Sequence, residues 1–279
     1  MKVANLSGRL ALVAEGCAVD IEQASEGRFS SGGIYQRWGE FRKWAATLGQ
    51  VDGTPFDPAE LGPPSPAPRQ VFGVGLNYHA HSAESGFAVP DSPLVFTKFP
   101  TCIEGPWTDL QLPAGTVDWE VELVAVIGAV ARHVPAADAW QYVAGLTAGQ
   151  DYSERTMQHA GPAAQFSLAK SFPGFGPTGP YLVTPDEFRD PDDLLIECTL
   201  NDELMQKART SEMIFSIPQL IEYISAVCPL LPGDLLFSGT PEGVGMGRTP
   251  RRYLAAGDVV VSRIQGIGEL RNMCLAPSR

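Results

Sequence analysis

From residue 2 to residue 20 the chain alternates short apolar runs with turns: VANL and RLALVAEG read as strands, with Ser7-Gly8 turning between them. Ile34, Trp38, Phe41, Trp44 and Leu48 then recur at helical spacing until Gly49 ends the run. Together they predict a small α+β unit. Six prolines follow among the fourteen residues from Pro55 to Pro68, a composition that supports neither ladder nor helix and predicts an extended surface spacer. The expected division is a small N-terminal α+β domain with a Pro-rich linker over 1–68 and a second domain over 69–279.

Beyond the spacer the pattern is mostly that of strands: VFGVGLN at 71–77, LVFTKF at 94–99, VDWEVELVAVIGAV at 117–130, LLIECTLN at 194–201, DLLFSG at 234–239 and DVVVSRI at 258–264. Short apolar runs between Gly and Pro turns predict a mostly β sandwich or barrel. Two helices interrupt them, one from Pro135 to about Val143 and one from an N-cap at Ser216 through Ile217, Leu220, Ile221, Ile224 and Val227. Strands and helices do not alternate regularly, which argues against a doubly wound parallel sheet.

Within VDWEVEL the acids fall on even positions, so a strand presents Asp118, Glu120 and Glu122 on one face. A solvated outer face would explain that alternation equally well. The next residues, Val124 to Ile127, are apolar on both faces and carry the strand into the interior, where clustered carboxylates need a cation. Asp151 closes the apolar segment that begins at Tyr142. Two glutamates and an aspartate, with no His or Cys beside them, form an oxygen-only set suited to Mg²⁺ or Mn²⁺.

His81 and Glu84 stand at i and i+3 on a short helical turn, the pairing that orients an imidazole as a general base. An exposed ion pair is the plainer alternative, and His79-x-His81 as zinc ligands is a rival that lacks further histidines in a supporting context. The glycine-rich run from Ser238 to Gly247 has no Gly-Lys-[Ser/Thr] and no helical pattern behind it, so it reads as a tight turn approaching a ligand, with Thr240 offering a hydroxyl. Lys98 and Lys170 are cations in segments otherwise poor in charge.

The 279 residues are 44% hydrophobic, and 29 glycines with 24 prolines reinforce a turn-rich β fold. A net charge of −12 disfavours nucleic acid and membrane partners. Five widely spaced cysteines, none in C-x-x-C, argue for reduced thiols, and with no leader or spanning segment in the pattern the expected compartment is the cytoplasm.

With these residues in place the chain from about Val71 to Leu275 resembles the fumarylacetoacetate hydrolase family. The matching residues are Gly75, Asn77, Tyr78, His81 and Glu84; Glu120 and Glu122; Asp151, Ser153, Arg155 and Gln158; Lys170; Asn201, Glu203 and Gln206; Pro232-Gly233-Asp234; and the run 239–245. The resemblance implies a mixed β-sandwich roll, a homodimer, and Mg²⁺ or Mn²⁺ on Glu120, Glu122 and Asp151. It implies His81, Glu84 and Lys170 as catalytic residues, the first two on a short lid, and Tyr78, Lys98, Arg155, Gln158 and Thr240 against a small 2-oxo acid substrate. Thr156 departs from the Asp that often follows the arginine in relatives, which loosens the expected hold on Arg155. The activity implied is hydrolysis of the C–C bond of an acylpyruvate-type 2,4-dioxo acid, fumarylpyruvate for example, through a metal-bound pyruvate enolate. Oxaloacetate decarboxylation or tautomerisation and hydroxydienedioate isomerisation are alternatives at the same site, and a non-catalytic metal-stabilised binding protein is the alternative of another class.

Overall fold

The strand at the centre of the molecule, Val121–Ile127, is buried on both faces: Val121, Leu123, Ala125 and Ile127 enter one apolar core, Val124 and Val126 the other. That is the expected consequence of a strand apolar on both sides. In this computed structural model, which describes residues 1–49, 53–84, 86 and 88–277, the strand lies in a large mixed sheet. The sheet runs from Cys17–Asp20 through Arg9–Ala14, Lys2–Leu6, Gly176–Val183, Val143–Gln150, Val121–Ile127, Leu235–Phe237 and Val71–Gly75 to Leu94–Lys98. Its main ladders are antiparallel, except that Leu235–Phe237 pairs parallel with Val71–Gly75.

A second, smaller sheet, ordered Glu203–Arg209, Leu195–Leu200, Val259–Ile264, Gly268–Leu275 and Leu110–Gln111, packs on the first core. Buried side-chain bonds tie the two layers. Gln206 accepts from Val121 N–H at 3.0 Å, Gln150 donates to Ser262 Oγ at 3.0 Å, and Tyr152 Oη bonds Asn272 Oδ1 at 3.0 Å. Polar groups so placed are satisfied only in one relative setting of the sheets, so they fix the layer register as well as filling the interior.

The N-terminal residues form the α+β unit that their pattern predicts, with Ser7 and Gly8 both at positive φ in the first hairpin turn. They do not form a separate lobe. Lys2–Leu6 pairs antiparallel with Gly176–Val183, and Val3, Leu10, Ile34, Trp38 and Phe41 share a core with Val124, Val126 and Phe237. The apolar face of so small a unit is too little to be buried by itself, and the central sheet supplies the other half.

The proline-rich stretch also departs from expectation, because Thr54–Pro55 pairs with Cys17–Asp20 and Leu61–Gly62 with Lys2–Leu6, while Pro58–Glu60 is a 3₁₀ turn. Proline is admissible in such short edge pairings. The run Ala136–Tyr142 is likewise 3₁₀ and not α-helical, confined between Pro135 and a strand that starts at Val143. The helix at Ile217–Ser225 forms as its apolar spacing predicts, Gln219 accepting from the Ser216 N–H at 2.9 Å.

Candidate metal centre and active site

The ladder that pairs Val121 with Gln150 sets Asp151 opposite Glu120, and Asp151 N–H donates to Glu120 O at 2.9 Å. Period-two alternation then puts Glu122 on the same face. The outcome is a buried cluster in which Glu120, Glu122 and Asp151 each offer an oxygen within 4.8 Å of the others.

Two lysines hold this cluster. Lys170 Nζ donates to Glu120 Oε2 at 2.7 Å, Asp151 Oδ2 at 2.6 Å and Ser153 Oγ at 2.8 Å. Lys98 Nζ donates to Asp151 Oδ1 at 2.7 Å and to the carbonyls of Lys170 and Phe175. Burial alone would raise the Glu120 carboxyl, but Lys170 and Arg155 outweigh it and hold it down at about 2. Glu122 has no such partner among the described residues and accepts from Gly239 N–H at 2.7 Å; burial, with Asp151 and Glu120 beside it, pushes it well above the ordinary carboxylate range.

Four buried carboxylates, counting Asp118, thus face three buried cations, Lys98, Arg155 and Lys170, and the unbalanced charge falls on Glu122. An all-oxygen donor set with an uncompensated negative charge fits a hard divalent cation. The zinc alternative fits less well, since His79 is exposed and the cluster contains no nitrogen or sulfur donor.

The helix His79–Glu84 carries the dyad. His81 is buried, and its Nδ1 lies 2.8 Å from Glu84 Oε1. Glu84 is anchored in turn by the Gly243 N–H, at 3.1 and 3.0 Å to its two oxygens, and it packs so closely on Gly247 that a Cβ there would lie 2.7 Å from Oε2. The glycine-rich run is therefore a seat for this carboxylate, in keeping with a turn that approaches other groups closely and not with a phosphate loop. The continuation of the expected lid at residues 85 and 87 lies outside the described residues.

His81, Glu120, Arg155, Gln158, Lys170 and Thr240 line one cavity of about 380 Å³, together with an apolar wall that includes Leu76, Leu94, Phe96 and Phe166. Thr240 uses its hydroxyl internally, donating to Val121 O at 2.9 Å and accepting from Gln206 at 2.8 Å. Two expected substrate contacts are corrected. Lys98 is fully buried behind Asp151 with its three donors engaged, and Tyr78 is buried outside the cavity lining, its hydroxyl kept protonated by burial and by the charges of Glu122 and Glu212. Both sit in segments that end at the cavity, but their side chains turn into the protein.

Asp118, which the strand alternation put on one face with Glu120 and Glu122, is engaged elsewhere. Its carboxylate accepts from Trp119 N–H, from Gly245 N–H at 2.7 Å, from Met246 N–H at 2.9 Å and from Arg155 Nε at 2.9 Å. Arg155 Nη2 also lies 2.7 Å from Glu120 Oε1, close enough for an ion pair though without the alignment of a hydrogen bond. The expected loosening of Arg155 at Thr156 does not occur, since Asp118, Glu120 and Gln158 fix the guanidinium. Glu154, which the pattern did not single out, caps the Arg155–Gln158 turn by accepting from Thr156 and Met157 N–H, and so aims both side chains at the cavity.

Residues 70–274 match the profile of the fumarylacetoacetate (FAA) hydrolase C-terminal domain. The chain belongs to the fumarylacetoacetate hydrolase family. It is 42% identical over 211 residues to the mitochondrial oxaloacetate tautomerase Fahd2a of Rattus norvegicus, a match covering 75% of this chain and 67% of the rat protein. Among solved structures it superimposes on an HpcE-like protein of Mycobacterium smegmatis with a TM-score of 0.96 and 49% identity, over 100% of both chains. It also superimposes on the maleylpyruvate hydrolase of Sphingobium sp. SYK-6, solved with manganese(II) and pyruvate, with a TM-score of 0.82 and 28% identity over 100% of each. Proteins similar to this chain thus include a hydrolase and a tautomerase, and the fold described above is of that family's kind. Among the described residues no helix is long and apolar enough to cross a membrane, and the rat relative is named as mitochondrial.

Proposed function

We propose that this protein is a divalent-metal-dependent hydrolase that cleaves the C–C bond of an acylpyruvate. The observation that carries the reading is that a buried, carboxylate-backed imidazole lines the same cavity as Glu120, the member of the oxygen-rich cluster that reaches it, and Lys170, which holds that cluster. Glu120, Glu122 and Asp151 would hold Mg²⁺ or Mn²⁺, which when bound supplies Lewis-acid polarisation of the 2-oxo acid end of the substrate.

The protein groups do the rest. Glu84 occupies Nδ1 of His81, which leaves Nε2 to take a proton from water. The water oxygen bonds to C4 of the substrate, the C3–C4 bond breaks, and its electron pair passes into the three-carbon fragment. His81 returns the proton to C3, so the products are pyruvate and the acid of the acyl group. Lys170 contributes positive charge beside the oxygens of the reacting fragment while keeping Glu120 and Asp151 in place. Arg155 and Gln158 position the substrate from the cavity wall.

A second reading, oxaloacetate tautomerisation, is favoured by the 42% identity to the rat tautomerase. There the same imidazole would move a proton at C3 without water attack. Product analysis on the Mn²⁺-loaded protein separates the two, using acetylpyruvate, fumarylpyruvate and oxaloacetate. Release of pyruvate from an acylpyruvate, lost in His81→Ala, supports hydrolysis. Accelerated enol–keto exchange of oxaloacetate, with both acylpyruvates left intact, would overturn it in favour of the second reading.

A further inference from the structure

Asp118 is fully buried and does not line the cavity that holds His81 and Lys170, yet two of its partners, Arg155 and Met246, do. Its place follows from the short antiparallel pairing of Val117–Asp118 with Ser153–Glu154, which sets Asp118 opposite Ser153 and brings Arg155 beside it. Arg155 N–H donates to Thr116 O at 2.9 Å and Leu254 N–H to Val117 O at 2.8 Å, so the strand that carries this carboxylate is itself fixed.

Both oxygens are in use, by different parts of the site. Oδ1 accepts from Trp119 N–H at 2.8 Å and Gly245 N–H at 2.7 Å, and Oδ2 from Met246 N–H at 2.9 Å and Arg155 Nε at 2.9 Å. On the Arg155 side the contact leads to the acidic cluster, because Arg155 Nη2 lies 2.7 Å from Glu120 Oε1. On the loop side it leads to the imidazole, because Gly243, two residues before Gly245, donates to Glu84, and Glu84 holds His81. Trp119 adds a second tether, its Nε1–H donating to Gly243 O at 3.2 Å. The loop comes down on Asp118 only because residue 245 is glycine: a Cβ there would lie 2.8 Å from Asp118 Oδ1 and 1.9 Å from Arg252 O.

We propose that Asp118 is a positioning residue that ties the guanidinium beside the acidic cluster to the loop seating the His81–Glu84 pair, and so holds the two halves of the site in one alignment. A carboxylate suits this task because its partners are all donors. An amide in its place offers one acceptor oxygen, so whichever way it turns, its NH₂ group faces an N–H of the loop. The inference rests on the reading of His81 as the base, but its test has readouts that need no turnover.

The test is Asp118→Asn in the Mg²⁺-loaded protein, followed by ¹H–¹⁵N NMR at a pH where the histidine rings are neutral. His81 is assigned by its absence in His81→Ala, and the Arg155 Nε–H by its absence in Arg155→Lys. Held by Glu84, the wild-type imidazole should carry its proton on Nδ1, whereas an unheld ring prefers Nε2. In Asp118→Asn the Nδ1-protonated fraction should fall below about half, and the Arg155 Nε–H signal should move upfield as its acceptor loses charge. Acylpyruvate cleavage per folded molecule should fall about 10- to 100-fold, the cost of misplacing a reacting group by about 1 Å. Melting curves give the folded fraction, and Asp118→Glu, which keeps the charge but displaces both oxygens by a methylene, carries the same two signals should the amide variant not fold. A wild-type His81 tautomer in a folded variant, or a loss of activity matched by the loss of folded protein, overturns the proposal. Both signals shifted in Asp118→Asn, in a protein that leaves acylpyruvates intact, uphold the tie and remove the hydrolase reading instead.

Discussion

The seat of Glu84 on the glycine-rich loop makes Gly247→Ala an informative change at a position outside the lining of the cavity that holds His81 and Lys170. Gly247 is not in the left-handed region, so alanine's backbone is tolerated and the effect is one of space alone. An added Cβ would lie 2.7 Å from Glu84 Oε2 and 2.9 Å from its Cδ, whereas ordinary contact begins at 3.4 Å, so the carboxylate must withdraw by about 0.7 Å. That withdrawal stretches the 3.0 Å bond from Gly243 N–H beyond useful range and turns the oxygen that orients His81.

Misplacing a reacting group by about 1 Å costs up to about 100-fold, and loss of a general base costs about 10²–10⁴-fold. We therefore expect kcat for acylpyruvate hydrolysis to fall about 10- to 100-fold in Gly247→Ala, with KM and Mn²⁺ affinity little changed. Glu84→Gln should fall further. The two act on one contact, so the double variant should be barely worse than Glu84→Gln alone. Steady-state kinetics of the four proteins at one pH, with pyruvate release as the readout, decide the matter. A near wild-type kcat in Gly247→Ala, or losses that simply multiply in the double variant, would refute the idea that this loop positions the dyad.

Glu122→Gln should weaken Mn²⁺ binding by at least about 100-fold while raising the melting temperature of the metal-free protein, because it removes an unpaired buried charge and keeps an acceptor for Gly239 N–H. Since a raised folded-state carboxyl loses stability as pH climbs through its folded value, that gain should grow with pH; scanning calorimetry after chelation checks the sign. Lys98→Met breaks a fully buried pair with Asp151 and should cost about 3–5 kcal/mol, a drop in melting temperature of roughly 6–20 °C, where a substrate-contact role would predict mainly a change in KM. His159 should titrate below 6.5 by proton NMR and move upward in Arg251→Gln, since removing a neighbouring positive charge favours the imidazolium; an unchanged titration would show that the two do not interact.

Much of this site could be read along the chain because its members come from strongly patterned segments. The alternation through Glu120 and Glu122, followed by an all-apolar run, was enough to predict carboxylates carried into the interior, and the i, i+3 spacing was enough to pair His81 with Glu84. The hairpin at Ser7-Gly8 and the helix at Ile217–Ser225 were legible for the same reason: turn chemistry and periodicity act over a few residues. Partnerships across longer separations were not. Asp118 shares the face pattern of Glu120 and Glu122, yet it is claimed by Arg155 and by the N–H groups of Gly245 and Met246, while Lys98 turns behind Asp151 and not toward the cavity. The N-terminal strands look like a domain of their own until the edge of Gly176–Val183 is there to receive them. Periodicity assigns a residue to a face of its own segment; which distant group meets that face depends on strand register and sheet stacking, and these are decided only when the whole chain buries its apolar surface at once.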